Sequence, residues 1–135
     1  MHGCAIVSVS IIATGFGNDV TPIDVNNYYR DVIKSANHAR GLSYYTNRSC
    51  EYVYSNIKAG IISQLSKGYP VFVHVKSNSG RFSTNGGHFF TILSISPNKD
   101  MVYVSDPVTH SSERNGWLPI SILDDRAFDK YMKME

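Results

Sequence analysis

Three side chains in this sequence could share one reaction: the thiol of Cys4, the imidazole of His88 and the carboxylate of Asp106. A sulfur attacks well only as thiolate, and a free thiol with a pKa of about 8.5 is only a few per cent ionised at neutral pH. A positioned imidazole can take the proton. A carboxylate behind that imidazole fixes its tautomer and steadies the imidazolium. Residues 85–107 offer a frame for the last two groups, reading as two antiparallel strands joined by a turn over 96–100. With the turn centred near Asn98, His88 at the mouth of the first strand falls opposite Asp106 at the exit of the second, and facing side chains there are about 4.5–5.5 Å apart at Cβ. Gly86 and Gly87 come immediately before His88. Having no side chains, they would let a substrate and the element bearing Cys4 approach the backbone closely.

Each residue also has a plain structural use. A cysteine beside an apolar segment can be a small core residue, a strand histidine can be structural, and an aspartate before Pro107 can form a turn. His74 and His110 are rival bases, but neither has a carboxylate at hairpin spacing. Cys50 lies in a polar stretch and is expected to be inert; it and Cys4 permit at most one disulfide and show no Cys-x-x-Cys spacing. Cys4, His88, Asp106 and His110 are of types that bind zinc, but no pair among them has helical or turn spacing, so neither metal nor other cofactor is expected.

The elements that must position these groups follow from the apolar pattern. Residues 5–13 are almost wholly apolar, which suits either a strand or a buried helix; Gly3 before and Gly15 and Gly17 after favour the helix. Cys4 then heads a helix, where free N–H groups and the dipole favour a thiolate. Thr21 and Pro22 predict a helix start, with Val25, Tyr28, Tyr29, Val32, Ile33 and Ala36 at helical spacing. Residues 38–54 read as a loop, residues 57–67 as a third helix closed by Gly68, and residues 71–75 as a strand. Residues 76–87 read as a loop, with 79–87 as one wall of a cleft, and 108–116 read as a further polar loop. The end of the chain reads as a short helix and an edge strand. Helices first and antiparallel strands after predict an α+β fold, with the Cys4 helix packed on one face of the sheet.

The 135 residues suit one domain, cut from a longer chain. A net charge of +2, with 13 basic residues scattered, argues against nucleic acid. No apolar run is long enough to span a bilayer.

In one order, the Gly-Cys head of an apolar helix, Thr21-Pro22, Gly68-Tyr69-Pro70-Val71, Gly87-His88-Phe89 and Val104-Ser105-Asp106-Pro107 resemble the C39-like branch of the papain-like cysteine peptidases. The resemblance covers Gly3 to Trp117. It implies a papain-like core with Cys4 as nucleophile, His88 as base and Asp106 as orienting acid, working through a thioester. It departs from the family pattern after the cysteine, where Ala5-Ile6 stand instead of a segment with proline. The family's upstream glutamine, a donor to the oxyanion, has no counterpart here, so that donor would be a backbone group or a residue preceding this sequence. Members include leader peptidases fused to bacteriocin exporters, and secreted proteins of Gram-positive bacteria and their phages, several of them cell-wall hydrolases. The resemblance therefore implies a monomeric peptidase domain acting on peptides, with peptidoglycan as the substrate and an extracellular or wall-associated location. A leader peptidase, or an inactive module binding glycan or peptide through its tyrosines, are the alternatives.

Overall fold

The computed structural model describes residues 3–76, 82, 87–107 and 114–135. Six antiparallel strands form one sheet: β1 (Cys50–Val53), β2 (Val71–Val75), β3 (His88–Ile95), β4 (Met101–Ser105), β5 (Gly116–Pro119) and β6 (Phe128–Met134), in the order β1-β6-β2-β3-β4-β5. Four α-helices cover it: α1 (Gly3–Gly15), α2 (Pro22–Tyr28), α3 (His38–Thr46) and α4 (Ile57–Ser66). The α+β expectation holds.

Helix α1 is helical because it is enclosed. Ala5, Ile6, Val9, Ile12 and Ala13 are buried against β3, α2 and α3, so its unbroken apolarity reflects burial on nearly all sides. Thr21 caps α2 as expected: its hydroxyl accepts from the Asp24 amide while the Asp24 carboxylate accepts from the Thr21 amide, a reciprocal arrangement whose cap residue is worth about 1 kcal/mol. That helix stops short of Ala36. It ends in a π turn, Tyr29–Ile33, closed by Lys34 in the left-handed region.

Two expectations are corrected and one is extended. Residues 38–54 are not a loop but α3 and β1. Asn37 caps α3 through its side chain, and His38, Leu42 and Tyr45 make the buried stripe; the tyrosines and Gly41 mask that stripe in the sequence. Second, the sheet is covered on both faces. The α1 side buries Phe72 and Met132, whereas α4 packs on the opposite side against Val71, Val73, Phe90 and Ile92. Third, the last strand is interior. β6 lies between β1 and β2, and the buried Gln64 of α4 accepts a hydrogen bond from the Met134 amide at 2.9 Å.

The hairpin of β3 and β4 forms with a different register. Thr91 pairs with Ser105 and Ile92 with Val104, then an irregularity at Leu93 brings Ser94 opposite Tyr103. Continuing that register puts Asp106 level with Phe90, so His88 reaches it along the diagonal on the same face rather than directly across.

Candidate active site

Each of the three reactive groups sits where an element begins or ends. Cys4 lies in the first turn of α1, His88 is the first residue of β3, and Asp106 follows the last residue of β4. Element ends carry these groups because side chains there project past the packed layers toward a cleft. The structure brings all three together. The His88 imidazole and the Cys4 thiol lie near enough for each to shift the other's titration, and His88 Nε2 lies 2.8 Å from Asp106 Oδ1. With Nε2 committed to the carboxylate, Nδ1 is the nitrogen left to face sulfur.

The electrostatics of the sulfur and the ring run in opposite directions. Burial pushes the Cys4 thiol up, but the hydrogen bond from His88, the Phe89 and Ala5 amides and the imidazolium charge together outweigh it and leave the thiol below its ordinary value. Burial likewise pushes His88 down, yet its hydrogen bonds to Asp106 and Cys4 and their negative charges raise it to about 9. A lowered thiol beside a raised imidazole favours the thiolate–imidazolium pair over two neutral groups. Cys50 behaves otherwise: burial raises it against a weaker contribution from Thr46. Both cysteines are free thiols.

Sequence reasoning missed the surroundings of the carboxylate. Arg114 Nε stands 3.0 Å from Asp106 Oδ2. Its N–H does not point along that line, so the contact is an ion pair without the direction of a hydrogen bond. The Asp106 amide donates to Asn115 Oδ1 at 2.8 Å. Phe90 stacks beside His88 with ring centres 5.7 Å apart, and Phe82 stacks on Phe90 at 4.3 Å. These rings keep water from the imidazole–carboxylate bond, which strengthens it. Arg114 and Asn115 fall in a stretch that reads as a polar loop, and nothing in their residue types ties them to Asp106.

Gly87 has φ +80°, and a Cβ there would stand 2.8 Å from His74 Nε2 and 3.0 Å from the Val75 carbonyl oxygen. Its missing side chain is thus required by packing against His74 as well as by backbone conformation. Gly86, His110 and most of the expected cleft-wall loop lie outside the described residues. His74 does have a carboxylate partner: Asp129 of β6, with Nδ1 to Oδ1 at 2.7 Å. Among the described residues no three of His, Cys, Asp and Glu are arranged to hold a metal ion. No helix among the described residues is long and apolar enough to cross a membrane.

A model of the Peptidase C39 like family matches residues 1–132. The chain belongs to that family. No curated protein matches significantly. Among solved structures, the peptidase domain of Streptococcus ComA, a bifunctional ABC transporter involved in a quorum sensing pathway, superposes with a TM-score of 0.66 at 10% identity, over 98% of this chain and 90% of that one. A C39-like peptidase from Bacillus anthracis gives 0.63 at 11%, over 98% and 88%. The N-terminal peptidase C39 like domain of the toxin secretion ATP-binding protein from Vibrio parahaemolyticus gives 0.62 at 13%, over 100% and 98%. At these identities the likeness is one of fold, the C39 core of a cysteine-bearing helix on an antiparallel sheet. The expected extracellular or wall-associated location is corrected by these matches: two of them are peptidase domains of transport proteins, not of wall hydrolases.

Proposed function

We propose that this C39-like domain is a cysteine peptidase in which Cys4 is the nucleophile, His88 the acid and base, and Asp106 the group that orients His88. The observation that carries the reading is the buried 2.8 Å contact of His88 Nε2 with Asp106 beside a Cys4 thiol whose titration His88 lowers. The thiolate attacks an amide carbonyl, forming a tetrahedral oxyanion. The free amides of the first turn of α1 are the nearest positive ends to that oxygen. The imidazolium then gives its proton to the leaving amine as the C–N bond breaks, leaving a thioester. Neutral His88 next takes a proton from water, hydroxide adds to the thioester carbonyl, and the acid leaves as the C–S bond breaks and the thiolate–imidazolium pair returns. Gly87, and Gly86 before it, are proposed to let the substrate backbone lie close to His88.

The substrate is a peptide. Peptidoglycan peptides fitted a secreted wall hydrolase. Two of the fold neighbours belong instead to transport proteins, which supports the leader of an exported precursor peptide, cut after a pair of glycines, over a wall peptide.

Alkylation with iodoacetamide read by mass spectrometry tests the chemistry, and turnover of the two peptide classes tests the substrate. Cys4 should label faster than Cys50 at neutral pH, lose that advantage in His88→Ala, and support turnover that Cys4→Ala abolishes. A Cys4 that labels like an ordinary thiol, with no turnover, would leave an inactive binding module.

A further inference from the structure

We propose that Arg114 is a positioning residue for this reaction, holding the Asp106 carboxylate in register with His88 and balancing the charge of the site. The inference rests on the peptidase reading above. The Asp106 side chain is fully buried, and its two oxygens are divided between partners: Oδ1 lies 2.8 Å from His88 Nε2 and Oδ2 lies 3.0 Å from Arg114 Nε. The adjoining Asn115 holds the Asp106 amide. Two consecutive residues entering β5 thus grip both the side chain and the main chain of Asp106. Phe82 lies beside the guanidinium, 6.0 Å from ring centre to the central carbon, within the range of a cation–π attraction.

Charge makes the same point. The groups that face one another here are Cys4 from α1, His88 from β3, Asp106 after β4 and Arg114 before β5. With the thiolate formed they alternate in sign, minus, plus, minus, plus, and sum to zero. Without Arg114 the same row carries a net negative charge in a largely buried place, which disfavours the thiolate. Arg114 acts on sulfur only through Asp106 and His88. It touches no reacting atom.

The test uses the whole chain with Arg114→Met, which keeps bulk and removes charge, and Arg114→Lys, which keeps charge but not the planar Nε–H. The expected result for Arg114→Met is a kcat lowered roughly tenfold to a hundredfold, the range seen when outer partners of catalytic histidines in metal sites are removed, with KM nearly unchanged. The midpoint of Cys4 alkylation against pH should move up by about half to one unit. Arg114→Lys should fall between the two, several-fold below wild type in kcat. If Arg114→Met does not fold, Arg114→Gln, which also removes the charge, takes its place, and a folded Gln variant equal to wild type overturns the proposal. So does a folded Met variant whose kcat and alkylation midpoint match wild type. A wild-type Cys4 that labels no faster than Cys50 marks instead the failure of the peptidase reading, and the role of Arg114 falls with it.

Discussion

Two histidine–aspartate pairs lie on one sheet, one strand apart, and bond lengths do not tell them apart. His88 and Asp106 meet at 2.8 Å with side chains 1% and 0% exposed; His74 and Asp129 meet at 2.7 Å with side chains 17% and 35% exposed. The differences lie in what surrounds each pair. His88 gives Nε2 to its carboxylate and turns the other nitrogen toward a thiol at a helix N-terminus, inside an aromatic wall. His74 gives Nδ1 to its carboxylate and lays Nε2 against the backbone of Gly87. A histidine held by a carboxylate is therefore a common structural unit. It becomes a candidate for chemistry when burial strengthens the pair and a third, ionisable group stands at the remaining nitrogen.

The largest expected effect breaks the comparison directly. His88→Ala should lower peptide turnover by about a hundredfold to ten-thousandfold, the usual contribution of a positioned acid and base, whereas His74→Ala should cost less than about tenfold. Steady-state kinetics on the two variants decides it, and equal losses would mean that the pairs had been assigned the wrong roles. The same contrast should appear against pH. The rising limb of Cys4 alkylation belongs below the ordinary thiol range, because His88 and the neighbouring amides hold the thiolate. Turnover should fall again near pH 9, where His88 loses the proton that the leaving amine needs. Cys50 should label only above the ordinary thiol range, since burial raises it.

How much of this was legible in the sequence follows from how far apart the partners lie along the chain. His88 and Asp106 belong to one hairpin, so turn and strand signals found them, although the irregularity at Leu93 that makes their contact diagonal has no signature in residue types. Cys4 joined them only through resemblance, since no periodicity says where α1 docks. Asp129 reaches His74 from the far end of the chain because β6 inserts beside β2, a pairing no local pattern encodes. Strand β6 itself was obscured by Asp129, Lys130 and Lys133, which interrupt its apolar residues. Helix α3 was hidden for a similar reason, Leu42 being the one aliphatic side chain on a buried face otherwise made of His38, Gly41, Tyr45 and Thr46.

Gly87 joins the two pairs, packing on His74 while leading into His88. Gly87→Ala would place a methyl group against His74 Nε2 at a positive φ, and such backbone strain costs on the order of 1–3 kcal/mol. Thermal denaturation should show that loss. Adding His74→Ala should recover the part that comes from crowding against His74 and leave the part that comes from φ and from the Val75 carbonyl. A variant as stable as wild type would show that the strand entrance yields freely.

The smallest effect concerns stability against pH, and its sign separates the thiol's share from the carboxylate's. A raised His88 binds a proton in the folded chain that the unfolded chain has released, so its stabilisation is complete below about 6.5 and is lost as pH rises through about 9. Cys4 runs the other way: held low, it adds stability as pH rises from its folded value toward that of a free thiol. In wild type the two slopes oppose each other over the same window, so the melting temperature should change little there. Cys4→Ala removes the thiolate's rising contribution and leaves an imidazole held by Asp106 alone, so its melting temperature should decline more steeply than that of wild type as pH rises above about 6.5, over a window that closes below 9 because Cys4 is one of the groups that raise His88. Parallel curves for the two proteins would mean that sulfur and ring do not share a proton. His74→Ala should leave the difference between the curves unchanged, because that pair has no thiol to set against it.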